Sequence, residues 1–148
     1  MTKVTGRRQA REWAMQFLFQ TEFNPNELDQ ALLDFWDDEE KKPSERDRTY
    51  VNEVVRGVIE KQREIDRTIS KYTQNWDVDR LGVLDRVVLR VATYEMLFRT
   101  DIPPVVSINE AVEIAKAYSG KDSGRFVNGV LDRIQKELGR PSRTNMPQ

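Results

Sequence analysis

The sequence predicts an all-α fold, and three observations predict it. Apolar residues recur at helical spacing in nearly every ordered stretch. Helix-start and helix-stop residues punctuate those stretches. Strand signals are missing, with no Asn-Gly turn between alternating runs. A chain of 148 residues has the length of one typical domain and can bury a sizeable core. The expected architecture is about seven helices in two small packed bundles, the first over about 1–73 and the second over about 74–140, with a short basic tail at 141–148.

The first helix carries Ala10, Trp13, Ala14, Phe17 and Leu18 on one stripe. Arg7 and Arg11, one turn apart, border it, so their guanidinium groups are expected to project together from its edge. Met15 and Phe19 fall off the stripe and call for a second packing element. Asn24-Pro25-Asn26-Glu27 reads as the next helix start, with Asn as cap, Pro in the first turn and Glu three residues on. Leu28, Ala31, Leu32 and Phe35 follow it in register. Asp37-Asp38-Glu39-Glu40 is an unbroken acidic run, expected to be a solvated loop. Pro43-Ser44 opens a helix whose apolar face is Val51, Val54, Val55, Val58 and Ile59. Ile65, Ile69 and Tyr72 continue that face with an offset, which predicts a break near Glu60–Glu64 and two helices rather than one rod.

In the second half, Asp77 or Asp79 is a candidate cap for a short helix, and Asp85 for the long one after it. From Val87 to Phe98 that helix is apolar almost all round, which suits the middle of a bundle. Asp101-Ile102-Pro103-Pro104 ends it. Ser107-Ile108-Asn109-Glu110 has the form of a capping box. Ile108, Ala111, Val112, Ala115 and Tyr118 supply the core face, and Gly120 is a left-handed stop. Asp122 and Ser123 are candidate caps for the last helix, with its stripe of Phe126, Val127, Val130, Leu131, Ile134 and Leu138. Gly139 and Pro141 end it.

Composition excludes several chemistries. With no Cys there is no disulfide, thiolate zinc site or cysteine nucleophile. With no His the commonest metal ligand and neutral-pH general base are missing. No catalytic cluster, metal motif or phosphate-cradling glycine loop stands out, so neither an enzyme nor a cofactor is expected. The first residues lack the apolar core of a signal peptide and no apolar run is long enough to span a bilayer, so the expected compartment is the cytoplasm. The net charge is only −1, but it is unevenly spread. Lys3, Arg7, Arg8 and Arg11 face only Glu12, and the tail carries Arg140 and Arg143 without an acid.

Four segments in register resemble the NusB family. Arg7-Arg8-Gln9-Ala10-Arg11-Glu12 with Phe17-Leu18-Phe19-Gln20 is similar to its arginine-rich opening helix. Leu89-Arg90-Val91-Ala92-Thr93-Tyr94-Glu95 resembles its central buried helix. Ile102-Pro103 with Ile108-Asn109-Glu110-Ala111-Val112-Glu113-Ile114-Ala115-Lys116 resembles its penultimate helix, and Phe126-Val127-Asn128-Gly129-Val130-Leu131-Asp132 the last. Each motif alone is weak; their common order and spacing make the likeness specific.

The resemblance implies an all-helical transcription antitermination factor that binds single-stranded boxA RNA of ribosomal RNA leader transcripts. It implies the small ribosomal-subunit protein NusE as direct partner, other Nus factors and RNA polymerase as indirect ones, and a homodimer in some members. Carried onto this chain, the RNA side comprises Arg7, Arg8, Arg11, Tyr118, Lys121, Asp122, Arg125 and Phe126. Guanidinium forks bond phosphates and stack on unpaired bases, and exposed aromatics stack on splayed bases. Gln9 stands where the family often has a third consecutive Arg. Phe126 and Tyr118 are also explained by core packing, Asp122 by capping, and Gly129 by close helix approach. The NusE side comprises Asp79, Arg80 and Asp85, whose acids suit a basic partner and equally suit helix capping. Three other readings compete, one of them an unknown hydrolase, for which no cluster beyond ordinary surface carboxylates stands out. A NusB-like domain of an rRNA cytosine methyltransferase needs a catalytic segment and a cysteine. A scaffold that only dimerises would use Phe19 and Met15 as its sticky surface.

Overall fold

The computed structural model describes residues 2–21, 27–73 and 78–139. The described residues form seven α-helices and one 3₁₀ turn, with no strand among them. They are α1 (Thr2–Thr21), α2 (Leu28–Trp36), α3 (Glu45–Glu60), α4 (Gln62–Ser70), the 3₁₀ turn Val78–Arg80, α5 (Val83–Phe98), α6 (Pro104–Ser119) and α7 (Lys121–Leu138). The expected Asn24–Asn26 helix start, the Asp77 cap, Pro141 and the basic residues Arg140 and Arg143 lie outside the described residues.

The chain divides into two compact units, 1–56 and 57–148. The break falls within α3 rather than near Thr73, because α4 packs on α5 and α7 and so belongs with the second unit.

In the first unit Ala10, Ala14, Phe17 and Leu18 of α1 are buried as the stripe requires, and Met15 joins them. The α1–α2 contact is aromatic. Phe17 meets Phe35 edge-on at 5.5 Å and Trp13 meets Trp36 at 5.6 Å, a geometry that places positive ring edges on negative faces. Trp36 Nε1 donates to Asn52 Oδ1 of α3 at 2.9 Å. Ser44 caps α3, its hydroxyl accepting from the Asp47 amide at 3.0 Å. At α2 the expected first-turn role of Glu27 is corrected: Glu27 precedes the helix in a left-handed conformation, φ 61°, and makes no side-chain cap bond.

In the second unit a single turn at Lys61 separates α3 from α4, so the predicted break is present. Helix α5 packs against α4, α6 and α7 and is buried on all sides, as its apolar circumference predicts. Three of its buried polar residues have internal partners, while the buried Thr93 hydroxyl has none among the described residues. Arg90 forks onto Asp66 with two 2.8 Å bonds, and Arg86 donates to the Leu81 carbonyl at 2.8 Å. Glu95 accepts from Ser107 at 2.7 Å.

That last bond corrects the capping-box reading. Helix α6 begins at Pro104, four residues before the helix start implied by Ser107 as a cap, because proline at the first position loses no amide bond and has its φ preset. Ser107 is therefore inside the helix, with its hydroxyl committed to α5. Asp85 is likewise inside the first turn of α5, whose cap position is Gly82. Asp122 and Ser123 are inside the first turn of α7, after Gly120. Gly120 and Gly139 have φ 98° and 69°, the left-handed region that glycine enters without cost, and each marks a helix end.

Candidate functional site

The first group of candidate residues lies on the face shared by α1 and the start of α3. Helical spacing sets Arg7 and Arg11 one turn apart beside the buried stripe, and α3 places Tyr50 under them. The Arg7 guanidinium lies 4.2 Å from the Tyr50 ring centroid, and that of Arg11 5.7 Å. Tyr50 is buried, Arg7 and Arg8 are half-buried and Gln9 is exposed. Arg11 is only 3% exposed, which corrects the expectation that both arginines project from the edge. Sitting on the inner turn, Arg11 is covered where Arg7 is not. Arg7 Nη1 is buried with no hydrogen-bond acceptor among the described residues. Burial pulls the Arg7 pKa below its ordinary value; Tyr50 pushes it up, Arg11 and Arg46 push it down, and Asp47 raises it.

A second group of the sequence-predicted residues lies in the other unit, at the α6–α7 junction. Tyr118, Lys121, Asp122 and Arg125 are exposed, Tyr118 at 55%. Arg125 bonds Asp122 at 2.5 Å, so Asp122 pairs along its own helix rather than capping it. No side chain caps α7, which leaves its first-turn amides to other acceptors. Phe126 is half-buried. It lines a groove of about 530 Å³ with Tyr72, Leu81, Asp85, Arg125 and Gly129, and borders a second of about 480 Å³ with Asp85, Ser119 and Asp122. A Cβ added at Gly129 would meet nothing within 4 Å, so this glycine keeps the groove open and does not serve close helix packing. The close approaches are elsewhere: a Cβ at Gly57 would lie 2.3 Å from the Tyr94 ring, and one at Gly124 2.4 Å from Lys116 Cγ.

Of the three partner-side residues, Arg80 is exposed and Asp85 is half-buried, its carboxylate accepting from the Ser123 hydroxyl. The Asp79 side chain is outside the described residues. The structure thus joins Asp85 to the Phe126 groove, two features that the sequence separates by half a unit. Among the described residues no three or more His, Cys, Asp or Glu converge in a way that could hold a metal ion, and no helix is long and apolar enough to cross a membrane.

The model of the family described as NusB matches residues 8–136, from the arginine helix through the Phe126 segment. The chain belongs to the NusB family. A relative from Methylacidiphilum infernorum described as transcription antitermination protein NusB is 44% identical over 145 residues, covering 97% of this chain and 100% of the relative. Among solved structures, T. maritima NusB is 46% identical with a TM-score of 0.79, over 88% of this chain and 91% of that one. A structure of antitermination factors NusB and NusE in complex with dsRNA is 26% identical with a TM-score of 0.80, over 90% and 98%. The relatives are named as transcription antitermination proteins and not as enzymes.

In this NusB family member, sequence reasoning missed Tyr50 and the groove residues Tyr72, Leu81 and Gly82. Tyr50 left a signal: it lies four residues before Val54 and eight before Val58, so it extends the α3 stripe by one turn. The groove left none, because its walls come from separate elements.

Proposed function

We propose that this chain is an RNA-binding transcription antitermination factor that binds boxA-type RNA of rRNA leader transcripts together with ribosomal protein NusE. In this reading it helps assemble the antitermination complex on RNA polymerase in the cytoplasm, with the other Nus factors as indirect partners. The observation that carries it is the arginine face of α1 within a family match running through residues 8–136. The relative solved with NusE and RNA supports both partners; its RNA is double-stranded, and single-stranded boxA is our assignment.

Arg7 and Arg8 bond phosphates through their forks, and Arg11 adds charge behind them. Lys121, Arg125 and the uncapped amides of α7 engage further phosphates. Tyr118 and Phe126 stack on unpaired bases, and Asp122 accepts from a base edge once its Arg125 pair opens. Asp79, Arg80 and Asp85 face the basic partner. Exposed Phe19 is the candidate contact for a homodimer, and Met15, 4% exposed, is withdrawn from that surface into the core.

The test is fluorescence anisotropy of a labelled boxA-type RNA, with and without NusE, against a scrambled RNA. Sequence-dependent binding that tightens with NusE and is lost in an Arg7/Arg8→Gln variant is the expected result. Equal binding to both RNAs under both conditions overturns the reading.

A further inference from the structure

The start of α3 carries a cation that the family resemblance does not assign. Arg46 lies in the first turn of α3, four residues before Tyr50, so helical spacing puts both on one face. Tyr50 is the ring on which Arg7 rests at 4.2 Å and toward which Arg11 points at 5.7 Å. Arg46 is therefore one turn along from the Arg7 site. It is exposed, and no hydrogen bond or ion pair engages it among the described residues. Arg48, two residues on, belongs to a different face and covers Trp36 at 5.5 Å.

Arg11 and Arg46 both bear on Arg7 as like charges, and Asp47 is the carboxylate that opposes them. Glu45 is also in this turn and is exposed. Arg11 and Arg46 repel the Arg7 guanidinium, and an external polyanion relieves that repulsion by placing phosphates beside them.

We infer that Arg46 is an RNA-phosphate ligand and that the first turn of α3 extends the α1 arginine face along the RNA backbone. The inference rests on the RNA-binding reading above. A phosphate contact carries no base information, so Arg46 contributes to affinity and salt dependence and not to sequence preference.

The experiment measures boxA-type and scrambled RNA binding across a salt series for the unaltered protein, Arg46→Gln, Arg46→Lys and, as an exposed cation of the other unit, Arg63→Gln. Loss of one single-strand phosphate contact lowers the slope of log K against log salt by about 0.7 and weakens binding about threefold near physiological salt. That is the result expected for Arg46→Gln, with an unchanged boxA preference and an unchanged melting temperature. Arg46→Lys retains the slope, and Arg63→Gln changes neither slope nor affinity. An unaltered slope in Arg46→Gln, or an equal loss in Arg63→Gln, overturns the role of Arg46 while leaving the Arg7/Arg8 reading in place. Failure of the unaltered protein to bind either RNA removes both.

Discussion

The two units handle the arginines beside their cores in opposite ways. In the second unit Arg90 is 5% exposed and its fork is matched by both oxygens of Asp66. In the first, Arg7 lies over the face of Tyr50, and its Nη1 finds no acceptor among the described residues. A guanidinium matched by a carboxylate has little left to give an external anion. One resting on an aromatic face keeps its charge and part of its donor set for a ligand, at some cost to the folded protein. The same residue type is committed to a carboxylate in one unit and keeps a donor open in the other, and its partner makes the difference.

The comparison is most easily broken at Asp66. Asp66→Ala removes both bonds between covered Arg90 and Asp66, and the expected loss is about 2–3 kcal/mol in urea unfolding, reduced from the range for fully buried pairs because Asp66 is partly exposed. A loss near zero would mean that Arg90 is as poorly matched as Arg7. Next in size is Gly57→Ala, whose Cβ meets the Tyr94 ring; a net loss of about 1–2 kcal/mol is expected, against a gain of up to about 1 kcal/mol for Gly129→Ala, where nothing is met and alanine favours the helix. Reversal of that order in thermal melts would reassign both glycines. Arg7→Met should leave stability within about 1 kcal/mol, since it removes a partly unsatisfied cation, while weakening RNA binding by about tenfold. A large stability loss with intact RNA binding would make Arg7 as structural as Arg90.

The smallest expected effect concerns pH. The Tyr72 hydroxyl donates to Glu137, which lowers the Glu137 pKa, and Lys71 lowers it further; the same bond to Glu137 raises the Tyr72 pKa. The carboxylate contribution is present above its ordinary value of 4.5 and is lost as pH falls through the lower folded value. The phenol contribution is present below 10.0 and is lost as pH rises through the higher folded value. The melting temperature gap between the protein and Tyr72→Phe should therefore be flat near neutrality and narrow at both extremes. A gap that changes around neutral pH would point to a different titrating group.

Much of the molecule was legible in one dimension. The α1 stripe, the break before α4, the all-round burial of α5, the Ser44 cap and the glycine stops are local consequences of side-chain order. The registered segments identified the family. The candidate site was half legible. Arg7, Tyr118 and Arg125 are accessible as their types and spacing suggest, but Arg11 is not. Three helix starts were misread, at Asp85, Ser107 and Asp122, because good capping residues inside a first turn look like caps when the true start is a glycine or proline.

By itself the sequence determined which stretches are helices, which face of each is apolar and which family the chain joins. These follow from bonds four residues apart and from the order of side chains along one strand of chain. Only the tertiary structure decided that Arg11 is covered, that Ser107 bonds Glu95 across two helices, and that Gly57 touches a ring while Gly129 opens a groove. The energy of a polar group or the space beside a glycine depends on the helix that covers it, and that helix comes from a distant part of the chain.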